Sequence, residues 1–151
     1  MEFSHGDADL IGQPIGYWSW AASNAVVTYI RHQLAQIGLS QPQGWVLGQV
    51  ASSEQGKTRD DVTAVLQGYL RAGDALQADI DELIARKLVE LGDGERLRLT
   101  AAGADLFRRA AEVHGANRAR IHAGVPDDDY VTTLKVLQRM IDNVEGTAWH
   151  H

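Results

Sequence analysis

Apolar residues recur at spacings of three and four along most of the chain, and each run predicts one helix. Between residues 15 and 37, Trp18, Ala22, Val26, Tyr29, Ile30, Gln33, Leu34 and Ile37 fall on one face of a long helix, which Gly38 ends. A second helix opens at Ser40. That residue stands three before Gln43, the spacing of a capping box, with Pro42 in the first turn and Val46, Leu47 and Val50 facing inward. A polar, Gly-containing turn follows from Ser52 to Thr58. Thr58 then caps a third helix that carries Val62, Val65, Leu66, Tyr69 and Leu70 inward. After a break at Ala72 and Gly73, Asp74 and Gln77 form another cap pair. Leu76, Ile80, Leu83, Ile84 and Leu88 keep the spacing of one buried face.

The period changes in KLVELGDGERLRLTAAGADLF, residues 87 to 107. Leu88 and Leu91 flank one short extended run and Leu97 and Leu99 alternate along another. The GDGE between them supplies the Gly and Asp that tolerate positive φ in a tight hairpin. Thr100 caps the next helix, with Phe107, Ala110, Ala111, His114 and Ile121 on one side and a stop near Gly124 and Pro126. The last helix begins in the acidic run at 127 to 129, which suits the positive end of a helix macrodipole. Its apolar residues Tyr130, Leu134, Leu137, Ile141 and Val144 form a heptad seam barely two heptads long. The element order predicts a mainly α fold: a winged helix-turn-helix with a small two-stranded wing, set between long flanking helices.

Composition narrows the function classes. The chain has 151 residues, 44% of them apolar, enough for one domain with its own core. It has no cysteine, which excludes disulfides and thiolate metal sites. No apolar run is long enough to span a bilayer and the N-terminus lacks the pattern of a secretory signal, so a soluble, cytoplasmic protein without a membrane partner is expected. No histidine pair shows the i, i+4 spacing of a zinc helix, and nucleophile-elbow, Walker and dinucleotide-glycine motifs are missing. The expectation is a non-enzyme with no metal and no cofactor. His150 and His151, at the extreme C-terminus, are set aside. The formal net charge of -6 opposes a polyanionic partner unless the basic residues cluster.

Four segments in order carry a family resemblance: LSQPQGWVL, IDELIARKLVE, LTAAG after the wing, and GVPDDDYVTTLKVLQRMIDNV. Through them the chain resembles the multiple-antibiotic-resistance regulator (MarR) family over about residues 15 to 145. The resemblance implies a single MarR-like domain over 1-151, with a winged helix at about 39-100 and dimerisation helices at about 10-37 and 101-146. It also implies a homodimer on a palindromic operator in double-stranded DNA, with half-sites about one helical turn apart. Repression relieved by a small molecule is implied as well. Periodicity agrees on the dimer, because the stripes of the terminal helices are wider than a monomer of this size needs to bury.

On this alignment the recognition helix runs from about Asp74 to Arg86 and presents Ala75, Gln77, Ala78, Asp81, Glu82 and Ala85 outward. Gln77 has the chemistry to pair with both edges of an adenine, and Ala75 or Ala78 to touch a thymine methyl. Lys57, Arg59, Arg71, Arg86, Lys87, Arg96 and Arg98 are the basic residues nearby for phosphates, the last two of them on the wing. Two features depart from the family: the GDGER wing is short, and Asp74, Asp79, Asp81 and Glu82 make the recognition helix acidic. Pairing of Asp81 with Arg59 or a wing arginine would neutralise one of them. The acidic face keeps a second reading open, a winged-helix dimer with lost or weak DNA binding that serves as a small-molecule-binding or protein-interaction module. For an apolar or phenolic effector, in a crevice between dimer helices and winged domain, the candidate residues are Trp18, Trp45, His32 and His114. Core or dimer packing is the commoner fate of such tryptophans.

Overall fold

The computed structural model describes residues 3–69 and 76–148. Its elements run α1 (Asp7–Leu10), α2 (Ile15–Ala35), α3 (Gln41–Ala51), α4 (Arg59–Leu66), α5 (Gln77–Ala85), β1 (Val89–Leu91), β2 (Leu97–Leu99), α6 (Ala101–Ile121) and α7 (Asp127–Asn143). This is the expected mainly α, winged helix-turn-helix order. The two strands pair antiparallel, Val89 against Leu99, Glu90 against Arg98 and Leu91 against Leu97.

The helix starts follow from side chains that satisfy otherwise unpaired backbone N–H groups. Ser40 Oγ accepts from Gln43 N at 3.2 Å while Gln43 Oε1 accepts from Ser40 N at 3.1 Å, a complete capping box. Thr58 and Asp61 form a second box at α4. The Asp61 carboxyl is held below its ordinary pKa by the hydrogen bonds from Thr58, backbone first. Thr100 Oγ1 caps α6 by accepting from Gly103 N. α5 begins at Gln77 behind Leu76, which makes no side-chain cap bond; Asp74, the other member of the expected cap pair, lies outside the described residues. Gly38, at φ 71°, stops α2 and its trailing turn as anticipated.

The core gathers Leu34 and Leu39 with Val46, Leu47 and Val50 of α3, Val62 and Leu66 of α4, Leu76, Ile80 and Leu83 around α5, Leu88, Val89 and Leu97 of the wing, and Leu106 and Ala110 of α6. Three helix faces differ from their expectations. On α4, Val62 and Leu66 are buried but Val65 and Tyr69 are 43% and 45% exposed, and Leu70 lies outside the described residues. On α6, Ala111 and His114 are exposed, and the buried set is Gly103, Leu106, Ala110 and Asn117. The true stripe is thus rotated from the expected one, because Gly103 draws the start of α6 against the backbone of Leu88. A Cβ at Gly103 would lie 1.8 Å from the Leu88 carbonyl oxygen. On α2, only Leu34 is buried, and Trp18 stays 40% exposed.

The hairpin also departs in detail. Residues 92 to 96 connect the strands, closed by Gly92 N donating to Arg96 O at 2.8 Å. The positive φ values fall on Gly94 and Glu95, not on Asp93. The wing gains a third contact that periodicity did not suggest: Lys57 bridges Leu97 antiparallel, with Leu97 N donating to Lys57 O at 2.8 Å. Gly56 permits this approach, since at φ 77° any Cβ there would come within 2.7 Å of the Leu97 carbonyl oxygen.

A candidate nucleic-acid interface

The exposed face of α5 is where the two sides of the helix-turn-helix meet. Gln77, Ala78, Asp81, Glu82 and Ala85 are all exposed, as expected of an outward face, while Ile80 and Leu83 anchor the opposite side in the core. Ala75 and Arg71 lie outside the described residues.

Arg59, the first residue of α4, reaches across to this face. Its Nη1 donates to Gln77 Oε1 at 3.1 Å and its Nη2 donates to Asp81 Oδ1 at 2.6 Å. Gln77 and Asp81 are one helical turn apart, so one planar guanidinium spans both. The pair is partly solvent-exposed, 30% for the Arg59 side chain and 66% for Asp81. A surface ion pair of this kind contributes about 0–1 kcal/mol, so its consequence is orientation more than stability.

The other carboxylates of α5 are also engaged. Asp79 is half-buried and accepts from Ser40 Oγ at 3.2 Å, which ties α5 to the start of α3. Burial raises its pKa above the ordinary aspartate value, opposed by the Ser40 hydrogen bond and reinforced by the Glu82 charge. Glu82 stands 3.9 Å from Arg86, one turn on. Arg86 also donates through Nη1 to Gln43 Oε1 at 3.3 Å. The acidity that counts against this helix as a DNA reader is therefore partly compensated or turned inward.

The wing places its two arginines differently. Arg96 is half-buried and donates from Nη1 to Gly56 O at 3.0 Å, tying the wing to the turn before α4. Arg98, opposite Glu90 on β2, is exposed. Lys57 Nζ donates to Gln49 Oε1 at 2.7 Å. Arg59 and Gln77 are thus brought into direct contact, Lys57 and Arg96 join through the Gly56–Leu97 junction, and Arg86 sits at the far end of α5 against α3. The Arg59–Asp81 pair had a signal in the sequence, in the opposite charges of the two residues; the bond from Arg59 to Gln77 was not anticipated. The Arg96 contact had none, because it depends on the wing folding back onto residues 40 positions earlier.

The four effector candidates do not share one site. Trp18 packs edge-on to Tyr17 at 5.4 Å between ring centroids, Trp45 stacks on Tyr69 at 5.1 Å, and His32 faces Gln36 on exposed α2. Only His114 of the four lines the cavity of about 550 Å³ between α2, α6 and α7. Its walls are mostly apolar, with Val26, Ile30, Ile121 and Leu137 among them, and Asn117 on the α6 side. Asn117 is buried, and its Nδ2 has no partner among the described residues. Asn117 was missed in the sequence because a polar residue on an apolar stripe reads as a solvated position. Among the described residues no cluster of His, Cys, Asp and Glu is arranged to hold a metal, and no helix is long and apolar enough to cross a membrane.

No protein-family model and no curated protein matches the chain. Solved structures do. A MarR family transcriptional regulator from Silicibacter pomeroyi superposes with a TM-score of 0.69 at 20% identity, over 93% of this chain and 99% of that one. The MepR–DNA complex from S. aureus gives 0.67 at 18% identity, over 87% and 96%. The transcriptional repressor CouR bound to p-coumaroyl-CoA gives 0.69 at 23% identity, over 92% and 97%. At such identities the likeness speaks for the fold, and over nearly its whole length this chain has the winged helix-turn-helix fold of MarR family transcriptional regulators.

Proposed function

We propose that the chain is a member of the MarR family: a homodimeric, DNA-binding transcriptional regulator of the cytoplasm, not an enzyme, acting as a ligand-responsive repressor on a palindromic operator. The observation that carries this reading is the exposed face of α5, where Gln77 is held in place by Arg59 and the carboxylate of Asp81 is paired rather than left facing a phosphate. Ala78 beside them leaves room for a base edge, and the exposed Arg98 and Lys87 lie on the same winged unit for phosphate contacts. MepR, of the same fold, is seen in complex with DNA.

The dimer reading draws on α7. This helix of 17 residues buries none of them within one chain. Val136, Met140 and Val144, stepping by four, are 44%, 41% and 76% exposed. Helices in proteins draw most of their stability from packing an apolar face, so an exposed apolar row of this kind calls for a second surface, and a second copy supplies one. The effector reading draws on the cavity between α2, α6 and α7, whose apolar walls suit a small apolar or phenolic compound and whose Asn117 offers it a donor. CouR, of the same fold, holds p-coumaroyl-CoA.

The experiment is a fluorescence anisotropy titration against the duplex upstream of the protein's own gene, repeated at several salt concentrations. Saturable binding that weakens with salt is expected. Absence of binding at low salt to any operator-length duplex would instead favour the module without DNA affinity, the reading that the exposed Glu82 and the net charge of -6 support.

A further inference from the structure

We propose that Asp81 keeps the Arg59 guanidinium off the DNA backbone, so that the pair is electrically silent toward a duplex and the acidity of α5 limits how tightly any sequence is bound. This rests on the DNA-binding reading above and specifies what sets its affinity. The two side chains come from the two helices of the helix-turn-helix and meet at 2.6 Å. The same guanidinium donates through Nη1 to Gln77 Oε1 at 3.1 Å, so it is held at two points one turn apart on α5. The Thr58–Asp61 capping box fixes the start of α4, from which Arg59 projects. The other α5 carboxylates do not share it: Asp79 accepts from Ser40 Oγ and Glu82 stands beside Arg86.

Arg59 otherwise has the place and the chemistry of a phosphate contact. It opens α4, the first helix of the motif, and in such motifs the first helix crosses the backbone while the second enters the major groove. A guanidinium also matches phosphate geometry. Leaving α5 for a phosphate, however, would give up both bonds and bare the Asp81 carboxylate, whose side chain is 66% exposed, beside a polyanion. The guanidinium therefore stays on α5, and the pair adds nothing to the number of phosphates neutralised. That number sets the salt dependence: each neutralised phosphate steepens the fall of log K with log salt by about 0.9. Removing the carboxylate alone unmasks one cation at the backbone. Because phosphates carry no sequence information, the gain is the same for every duplex.

The test is anisotropy titration of the full-length protein at several salt concentrations. The probes are the duplex upstream of its own gene and a random-sequence duplex of the same length. Asp81→Ala should bind both more tightly at low salt, with a slope steeper by about 0.9. Between about 50 and about 200 mM salt it should thus lose about 3.5-fold more affinity than the wild type. The double variant, Arg59→Ala with Asp81→Ala, removes a silent pair and should keep the wild-type slope. Both side chains lie at the surface, and circular dichroism checks that the variants are folded. An unchanged slope in Asp81→Ala, or steepening on one duplex only, would overturn the inference and leave the regulator reading standing. So would a double variant shallower than the wild type by about 0.9, since Arg59 would then already be a phosphate contact. Binding by Asp81→Ala but not by the wild type would uphold the masking and remove the regulator reading; binding by neither would remove both.

Discussion

Replacing Gly103 by alanine separates two accounts of one residue by the sign of the stability change. If Gly103 were an ordinary helix residue, alanine would stabilise α6 by about 1 kcal/mol, because glycine loses more backbone freedom on folding. In the fold, however, the new Cβ would lie 1.8 Å from Leu88 O and 2.8 Å from Leu88 C. Real Cβ contacts essentially never fall under 3.0 Å, so the start of α6 and Leu88, the residue before β1, must part by at least 1.2 Å, the difference between 3.0 and 1.8 Å. The Thr100 N to Leu88 O hydrogen bond, now 3.1 Å, does not survive that movement, and the Thr100 Oγ1 bond to Lys87 O at 2.7 Å is strained with it. Overpacking costs about 1–3 kcal/mol and each lost hydrogen bond about 1 kcal/mol. After the propensity gain is subtracted, a net loss of about 2 kcal/mol remains. The assay is urea unfolding followed by circular dichroism at one fixed protein concentration, with Gly115→Ala as the control. Gly115 lies in the same helix with nothing within 4 Å of its notional Cβ, so that variant should be neutral or stabilised by up to about 1 kcal/mol. If Gly103→Ala is as stable as the control, the close approach of α6 to the wing is wrong.

Three other outcomes follow from the same contacts. Asp79 has a raised pKa, so its charged form is disfavoured in the fold: its contribution is favourable below the unfolded aspartate value and is lost as pH rises through the higher folded one. Asp79→Asn, which keeps an acceptor for Ser40 Oγ, should raise the thermal midpoint at pH 7 and lose that advantage near pH 3; a gain independent of pH would contradict the burial argument. Met140→Ala removes an apolar side chain that is 41% exposed in one chain, worth about 1 kcal/mol per copy if a partner covers it, and so should weaken dimerisation about thirtyfold by analytical ultracentrifugation; an unchanged dissociation constant would mean that the partner lies elsewhere. Arg98→Ala should weaken DNA binding alike for all sequences and reduce the salt slope by about one, whereas Arg96→Ala should add a stability loss of about 1 kcal/mol through its bond to Gly56; equal stability of the two variants would argue against the tie between wing and turn.

The parts of the fold set by local chemistry were legible in the sequence. Ser40, Thr58 and Thr100 each cap a helix through bonds to residues within three positions, and the alternation of Leu97 and Leu99 around GDGE announced the wing. What escaped depends on contacts distant in sequence. The α6 stripe was misplaced because its rotation is set by the approach of Gly103 to Leu88, and the Lys57–Leu97 bridge because it needs Gly56 to turn back on the wing. The exposure of Val65 and Tyr69 has the same origin, since periodicity identifies an apolar face without showing how much of it a neighbour covers. In the candidate site, the pairing of Arg59 with Asp81 was foreseen from charge. Its second bond, to Gln77, was not.

Hydroxyl-radical footprinting on a site selected from random duplexes tests the central claim most directly, because a dimer with two copies of α5 facing one side of DNA must leave a symmetric mark. Two protected patches about one helical turn apart, related by a dyad and needing more protein, both together, in Gln77→Ala and Arg98→Ala, are predicted. A single unpaired patch, or uniform cleavage at protein concentrations that saturate a basic control protein, would contradict it.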